Sequence, residues 1–352
     1  MKFIHTADIH LGSKNDSRFP KEVSDEIKAD LRSAFSKMVG YAKKSGISLI
    51  LLSGDVFDSD KPFKKDKDYF YSVVRANEEI VFLYLKGNHD KSESFDEELP
   101  NLKRFSDKWT TYDFGKIKVS GIEMTKENSS SLYSTLALNE SDKNVVMLHG
   151  QTSSSSGKDL INLSKLRGKN IDYLALGHIH KYSAEKLDDR ATAVYSGCLS
   201  GRGFDEIGEK GFVEVEITDS GTVHKFVPFS ERTIREEEVD ISGAKDAYEV
   251  SEIVKKSVEY SSGDILRVVL KGELEVMIED LKADAERILS GRYYYLDVKD
   301  KTKLKPDLSA LKFDNSLIGE FLRVVEGSEY SDEDKAKIIS YGIRALKGER
   351  IE

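Results

Sequence analysis

Carboxylate, amide and imidazole side chains recur at five points of this chain, each directly after a run of apolar residues. These are side chains that bind divalent first-row metal ions. A single Asp-x-His or an isolated histidine is common in proteins that bind no metal, but five such points in one order predict a two-metal site for phosphoester chemistry. The five points are Asp8-Ile9-His10, Gly54-Asp55, Gly87-Asn88-His89-Asp90, His149-Gly150 and Gly177-His178-Ile179-His180.

The spacing of these residues divides them between two ions. Asp8 and His10 are two residues apart at a strand exit, so both can face one ion. Asp55 has two carboxylate oxygens and can bridge two ions, as paired metals roughly 3.5–4 Å apart require. This mixture of nitrogen and oxygen suits manganese, iron or zinc better than magnesium or calcium. The remaining predicted ligands are Asn88, His149 and His178 for one ion, and His180, which can reach the other.

A proton donor is predicted beside the metal ligands. Two bound ions acidify a water molecule and draw charge from the phosphate oxygens. The leaving alkoxide then needs a proton, and His89 is the predicted donor because the other histidines of the pattern are assigned to metal. Asp58 or Asp90 is expected to orient His89 through its second ring nitrogen.

The apolar runs before these residues predict the strands that position them. The runs lack polar alternation, which is typical of strands covered on both faces. Residues 23–44, between the first two runs, have the apolar spacing of a helix. Because sites in open α/β sheets form outside the carboxyl ends of strands, five strands deliver their polar residues to one rim. The runs are residues 3–7, 49–53, 80–85, 145–148 and 173–176.

The pattern changes after about residue 230, beyond a predicted hairpin that closes the first domain. A small α+β unit follows, and two further helices end the chain. The expected domains are a core of residues 1–230, a cap of residues 231–305 and C-terminal helices within residues 315–352. The predicted later elements are strands 232–239, 265–270 and 293–298 and helices 247–260, 276–289, 317–325 and 332–346.

Composition favours an intracellular enzyme. The chain has 352 residues, more than one hydrophobic core usually supports, so two domains are the default expectation. A single cysteine, Cys198, excludes an internal disulfide framework and fits a reducing cytoplasm. No apolar run approaches the length of a membrane span, and the first metal motif follows Met1 so closely that no cleavable signal peptide is expected.

The net charge of −9 works mildly against nucleic-acid binding, for which clustered Lys and Arg are the usual signature. It does not exclude nucleic acid, because a two-metal site itself concentrates acidic ligands and a basic patch can coexist with a negative total.

The motifs resemble those of the calcineurin-like metallophosphoesterases. Five sequence segments are similar to the DNA-repair nuclease branch of that family, which includes SbcD, YhaO and the meiotic recombination nuclease. The segments are HTADIHLG, LLSGDVFDSDKP, KGNHD, LGHIHK and YSGCLSGRGFDEIGEKGF. The resemblance covers residues 1 to about 230, and the cap matches only in pattern. It implies a four-layer αββα sandwich with a small α+β capping domain, and a manganese-dependent exonuclease and endonuclease acting on DNA.

The resemblance also implies a division of roles among the predicted site residues. Asp8, His10, Asp55 and His180 would hold one metal ion, Asp55, Asn88, His149 and His178 would hold the other, and His89 would serve the leaving group. One position departs from the archaeal and eukaryotic members, which have a histidine where this chain has Asp58. The segment of residues 200–206 is closer to the YhaO-like members than to SbcD.

Residues outside the metal set have two interpretations each. Lys61 and Lys64 follow the Asp55 motif and can contact a DNA backbone, although a solvated loop and helix start explains them nearly as well. Arg202, between two glycines, can touch a phosphate or belong to an ordinary turn. Helices over residues 67–76 and 95–105 would form the homodimer interface of the family or simply pack in the core.

The C-terminal helices and the substrate also leave alternatives open. In the family this end of the chain docks on an SMC-like coiled-coil ATPase, whereas helices 317–325 and 332–346 can equally complete the protein's own core. The first rival to a nuclease is a phosphodiesterase or phosphatase for a small nucleotide, which would need neither the cap nor these helices. The second is a non-catalytic scaffold, which the complete ligand set disfavours.

Overall fold

The computed structural model describes residues 1–14, 19–90, 97–155, 157–275, 278, 280–304 and 315–346. They form two units, and the first comprises Met1–Arg235 with Gly263–Ile265. The second comprises Glu236–Ser262 and the described residues from Leu266 onward. Among all these residues, no helix combines the length and the apolar character needed to cross a bilayer.

The predicted strand and helix pattern is present in the first unit. Helix α1, predicted over residues 23–44, begins two residues earlier, and each of the five apolar runs forms a strand. In chain order the elements are β1 (Lys2–Thr6), α1 (Lys21–Lys44), β2 (Leu49–Ser53), α2 (Lys64–Arg75), β3 (Val81–Leu85), β4 (Leu102–Arg104), β5 (Thr110–Asp113), β6 (Lys118–Gly121), α3 (Leu132–Thr135), β7 (Asn144–His149), β8 (Gln151–Thr152), β9 (Leu160–Ile161), β10 (Tyr173–Gly177), β11 (Ser183–Lys186), β12 (Thr192–Tyr195), β13 (Gly211–Thr218) and β14 (Gly221–Pro228).

Two six-stranded sheets form the centre of the first unit. Their strand orders are β14-β13-β1-β2-β3-β4 and β11-β12-β10-β7-β6-β5. Phe3, Leu49 and Leu51 on the first sheet and Val145 and Met147 on the second belong to one buried cluster, which lies between the sheets. Alternate residues of the same strands therefore face outward, away from the other sheet. Both faces of each sheet are apolar, which is typical of a sheet that is covered on both sides.

Helices cover the outer face of each sheet. Ile50 and Leu52 of β2 pack with Phe35 and Met38 of α1 in a second buried cluster. On the other sheet, Leu148 and its neighbours pack with the segment around α3 in a third cluster. The layers are therefore helix, sheet, sheet, helix, and the predicted αββα sandwich is confirmed.

One predicted helix is wrong. Of residues 95–105, the first two lie outside the described residues, and Leu102–Arg104 forms the edge strand β4. This strand pairs in parallel with β3, with Leu102 opposite Phe82. The backbone of β3 needs hydrogen-bond partners along its open edge, and that requirement outweighs the weak helical spacing of the segment. The four-helix dimer interface predicted from this helix is withdrawn, although α2 forms as predicted.

The second unit contains the predicted α+β pattern. The elements are β15 (Ile234–Asp240), α4 (Ala247–Ser257), β16 (Ile265–Lys271), β17 (Glu273–Leu274), α5 (Leu281–Leu289), β18 (Tyr295–Asp300) and β19 (Lys303–Leu304). The sheet has the order β15-β16-β18, and α4 and α5 pack with it around buried residues such as Val250, Val254 and Leu289. Residues 276, 277 and 279, in the first part of the predicted helix 276–289, lie outside the described residues.

The last two helices, α6 (Leu317–Glu326) and α7 (Asp332–Leu346), pack against each other. Leu322, Val325, Ile339 and Ile343 form a small buried cluster of their own. Ser316 caps α6, with its hydroxyl accepting a hydrogen bond from the Gly319 N–H at 3.3 Å. The pair is therefore a helical hairpin with its own apolar contact.

Candidate metal centre

The ends of five strands bring the predicted ligands to one rim. Strands β1, β2 and β3 are parallel neighbours in one sheet, and β7 and β10 are parallel neighbours in the other. The two sheets are joined at this rim by hydrogen bonds. His149 Nδ1 lies 2.8 Å from the carbonyl oxygen of Ser53, and the His178 N–H donates to the Asp8 carboxylate at 2.9 Å.

One group of ligands consists of Asp8, His10 and His180. Each contributes an atom to a set in which all atoms lie within 4.8 Å of one another. The Nε2 atoms of His10 and His180 are 3.2 Å apart, and Asp8 Oδ1 lies 3.9 and 3.7 Å from them. Asp8 and His10 are buried, whereas the His180 side chain is partly open to solvent.

A second group consists of Asp55, His149 and His178, again with one atom each within 4.8 Å of the others. His149 Nε2 lies 3.3 Å from Asp55 Oδ2. Asn88 joins this group, because its Oδ1 lies 3.1 Å from His149 Nε2 and 2.9 Å from His178 Nδ1. All seven predicted ligands are thus at the rim, in the two groups that the sequence indicated.

The arrangement passes a simple geometric test for metal binding. Zinc, taken as an example, binds histidine nitrogen at about 2.0–2.1 Å, so two nitrogens on one ion are separated by about 3.0–3.4 Å. The separation of 3.2 Å between His10 and His180 Nε2 lies in this range. Asn88 Oδ1 lies at similar distances, 3.1 and 2.9 Å, from His149 Nε2 and His178 Nδ1. The donor set therefore suits a pair of borderline transition-metal ions.

Backbone strain is concentrated at the same place. Within the described part of the chain, seven non-glycine residues have a positive φ, and four of them are predicted ligands: Asp8, His10, Asp55 and His178. A residue held in such a conformation costs roughly 1–3 kcal/mol and persists only where its surroundings impose it. The fold thus accepts unfavourable conformations at the positions that present side chains to the rim.

Two glycines leave room for the ligands. A Cβ atom on Gly87 would lie 2.0 Å from Asp55 Oδ1, and one on Gly54 would lie 2.1 Å from His149 Nδ1. Gly54 also has φ +99°, a conformation that L-amino-acid side chains disfavour. Any larger residue at either position would displace a predicted ligand.

The charges of Asp55 and His149 are coupled. Burial opposes ionisation of Asp55, but the hydrogen bond and charge of His149 outweigh it and hold the pKa of the carboxyl below its usual value. Burial likewise disfavours protonated His149, yet the hydrogen bond and charge of Asp55 raise the pKa of His149 to about 9. A metal ion needs the neutral imidazole and competes with this proton, so metal binding is expected to weaken as the pH falls.

His89, the predicted proton donor, lies beside the ligands and is exposed. Its ring is 5.1 Å from the ring of His10, and its backbone N–H donates to Asp55 Oδ1 at 2.9 Å. His89 Nδ1 lies 3.3 Å from the carbonyl oxygen of Asp58. This contact orients the ring and leaves Nε2 available for a proton.

Of the two residues expected to orient His89, Asp58 does so, through its backbone carbonyl oxygen, and Asp90 does not. The Asp58 carboxylate lies close by, in a set with ring nitrogens of His10 and His89 whose atoms are all within 4.8 Å of one another. Asp90 is buried, and its carboxylate accepts the N–H groups of Val56, Phe57 and Gly87 at 3.0–3.3 Å. Asp90 therefore ties together the loops that follow β2 and β3, a role that its position beside His89 in the sequence does not reveal.

Arg202 is surrounded by protein carboxylates. Its Nη1 donates to Asp58 Oδ1 at 2.7 Å, and its Nε donates to Glu206 Oε1 at 3.0 Å. Glu206 lies within the quoted segment of residues 200–206 but was not assigned a role, because a single carboxylate in a turn has no spacing that links it to His180. The same carboxylate lies 2.7 Å from His180 Nδ1. Contact between Arg202 and a phosphate stays a prediction, since its guanidinium is engaged inside the protein.

The two candidate substrate lysines have different surroundings. Lys61 lines a cavity of about 470 Å³ together with Asp58, Ser59, Asp60 and His89. Lys64 lies in the first turn of α2, where its Nζ is paired with Asp68 at 2.7 Å. Lys61 is therefore the better candidate for a phosphate contact near His89.

Comparison with known proteins agrees with this geometry. The model of the family described as calcineurin-like phosphoesterase matches residues 1–182. The chain is 25% identical to an uncharacterized metallophosphoesterase, YhaO, of Bacillus subtilis (strain 168), over 94% of this chain and 88% of that protein. It is 24% identical to the DNA double-strand break repair protein Mre11 of Saccharolobus solfataricus, over 100% of this chain and 96% of that protein.

Among solved structures, a dimetal phosphatase from Danio rerio is similar, with 12% identity and a TM-score of 0.43, over 64% of this chain and 95% of that chain. The family match spans more than half of the chain and contains all seven predicted ligands and His89. Members of the family are hydrolases that use a pair of divalent metal ions. This chain belongs to the calcineurin-like phosphoesterase family.

Proposed function

We propose that this chain is a two-metal nuclease that hydrolyses DNA phosphodiesters, as exonuclease and endonuclease, with Mn²⁺ as its metal. The observation that carries the proposal is the pair of ligand groups at one rim, with exposed His89 beside them. Similarity to a DNA double-strand break repair protein over the whole chain supports DNA as the substrate and break repair as the setting. The cytoplasm is proposed as the compartment because a single cysteine fits a reducing environment.

The chain's own residues have distinct tasks in this reaction. When bound, the ion pair supplies a strong nucleophile from water near neutral pH and draws charge from the phosphate. Asp55, with a carboxylate oxygen 3.3 Å from His149 Nε2, would be the ligand shared by the two groups. His89, held at Nδ1 by the Asp58 carbonyl, donates a proton from Nε2 to the leaving oxygen. Lys61, in the same cavity, can neutralise a neighbouring phosphate of the strand.

DNA is favoured over a small nucleotide for two reasons. The cavity at His89 is open and lined largely by polar residues, which suits a strand that passes across the surface. The chain also continues beyond the family match into a complete second unit and a helical hairpin, which a small-molecule phosphatase does not need.

The substrate class is tested by comparing DNA with a generic diester. With Mn²⁺, the protein should cleave bis(p-nitrophenyl) phosphate and end-labelled single- and double-stranded DNA, and a chelator should abolish both activities until Mn²⁺ is restored. Gel electrophoresis and release of nitrophenolate measure them. Cleavage of the small diester without cleavage of any DNA form would contradict the nuclease assignment and favour the nucleotide phosphodiesterase.

We further propose that α6 and α7 dock on an SMC-like coiled-coil ATPase. The support is their own buried cluster, which leaves other apolar side chains without cover: Leu317 is 71% exposed and Val324 is 65% exposed. A helix with an apolar face on solvent is a usual partner for a second helix. Homodimer formation, as the resemblance implies, remains a separate prediction.

Removal of residues 315–352 tests the docking proposal. The shortened chain should remain folded and keep its activity on bis(p-nitrophenyl) phosphate, while losing association with the ATPase in a pull-down with the purified partner. A double variant, Leu317→Glu with Val324→Glu, should lose the same association, because both apolar side chains are exposed and would form the docking surface. Loss of folding or of diesterase activity on truncation would show that the hairpin completes the catalytic unit.

A further inference from the structure

A buried ion-pair network lies behind one of the two ligand groups. Arg202 and Glu206 are 8% and 3% exposed. The Arg202 guanidinium joins two carboxylates, with Nη1 at 2.7 Å from Asp58 Oδ1 and Nε at 3.0 Å from Glu206 Oε1. The Arg202 backbone N–H also donates to Glu206 Oε2, at 2.8 Å. These bonds fix both side chains.

Each of the two carboxylates contacts the outer nitrogen of one histidine. Glu206 Oε1 is 2.7 Å from His180 Nδ1, and Asp58 Oδ1 is 2.9 Å from His10 Nδ1. The inner nitrogens, Nε2 of both rings, are then turned toward each other and toward Asp8. Glu206 is hydrogen-bonded to His180, and a carboxylate bonded at Nδ1 fixes the ring orientation and makes Nε2 a stronger metal ligand. Asp58 lies in ion-pair contact with His10 and places a negative charge beside that ring.

The second ligand group is supported differently. Behind His149, Nδ1 faces the backbone carbonyl oxygen of Ser53, an uncharged group. His178 faces Asn88 Oδ1 through Nδ1, which is its nitrogen on the ligand side. The histidines of the first group thus have carboxylates at their outer nitrogens, whereas His149 has a backbone carbonyl there.

We propose that Arg202, Glu206 and Asp58 are positioning residues for the ion held by Asp8, His10 and His180, and set the affinity of that site alone. This inference rests on the proposed two-metal function. Arg202 acts here by holding two carboxylates in place, not by contacting the phosphate. Lys210 adds to the same support, since its Nζ donates to the His180 carbonyl oxygen at 2.9 Å.

The experiment compares Glu206→Gln with a matched control, Asp172→Asn. Asp172 is also a buried carboxylate that accepts a backbone N–H, from Asn144, and pairs with an arginine, Arg190. It directly precedes β10, whose far end at Gly177 is roughly 17 Å away at about 3.3 Å per residue and leads to His178. Both variants should lower the melting temperature by similar amounts, because each disturbs a buried ion pair.

Binding of Mn²⁺ to the full chain is measured by isothermal titration calorimetry and by electron paramagnetic resonance. Glu206→Gln should bind one ion about 10–100-fold more weakly and the other unchanged. Its spectrum at limiting Mn²⁺ should change from that of a coupled pair to that of an isolated ion. Excess Mn²⁺ should restore diesterase activity to Glu206→Gln. Asp172→Asn should match the wild type in all three measurements.

Three results would overturn the inference. The first is unchanged affinity for both ions in Glu206→Gln. The second is equal weakening of both sites. The third concerns Arg202→Lys, which keeps the positive charge but loses the planar guanidinium that can bind two carboxylates at once. A higher KM for DNA with unchanged metal affinity in this variant would mean that Arg202 contacts phosphate. A wild type that binds no ion pair would instead contradict the proposed function itself.

Discussion

Replacing Asp55 by alanine should abolish both metal binding and hydrolysis. One carboxylate is predicted to serve both ions, and its oxygens also lie 2.9 Å from the His89 N–H and 3.3 Å from His149 Nε2. The loss should exceed the roughly 10–100-fold effect that is usual for residues outside the direct ligands. Elemental analysis after desalting gives the metal content, and nitrophenolate release gives the rate.

A matched variant separates loss of charge from loss of shape. Asp55→Asn keeps an oxygen that can accept the His89 N–H but cannot bridge two cations with a negative charge. It should therefore fold as the wild type does, by circular dichroism, and still lose at least one ion. Full metal occupancy in Asp55→Asn would contradict the bridging role.

Replacing His89 by alanine should abolish most of the cleavage while leaving both ions in place. His89 belongs to neither ligand group and is exposed, and its Nδ1 is held by the Asp58 carbonyl oxygen at 3.3 Å. A ring nitrogen of His89 also lies within 4.8 Å of ligand atoms of His10 and Asp58, so the metal content of the variant is part of the test. A general acid contributes about 10²–10⁴-fold in rate, so kcat on DNA should fall by that factor.

The leaving group provides the control for this role. Nitrophenolate leaves without a proton more readily than an alkoxide does, so His89→Ala should lose less activity on bis(p-nitrophenyl) phosphate than on DNA. Rates with the two substrates are compared at saturating Mn²⁺. Metal content that falls in His89→Ala as it does in Asp55→Ala would show that His89 is a ligand and not the acid.

The strand ends and their ligands were predictable from local patterns. Asp8, Asp55 and His178 each follow a predicted strand that is mostly apolar, and parallel strands deliver such residues to one edge. The absence of polar alternation indicated strands covered on both faces, and the resemblance to the phosphoesterase family implied that two sheets face each other. Residues far apart in the chain, such as His10 and His180, could therefore be assigned to one group.

The supporting residues were not predictable in the same way. Glu206 lies in a turn without periodicity, and its contact with His180 depends on the path of that turn. Asp90 looked like a partner of His89 but binds backbone N–H groups of two loops, because buried amides need acceptors. The strand Leu102–Arg104 was mistaken for a helix because three residues are too few to show a strand period.

The central claim is that seven side chains from five strand ends hold two metal ions. Anomalous diffraction at the manganese edge, from crystals grown with Mn²⁺, tests it most directly. We expect two peaks, one among Asp8, His10 and His180 and the other among Asn88, His149 and His178, with Asp55 between them. A single peak, or ions bound away from these side chains, would contradict it.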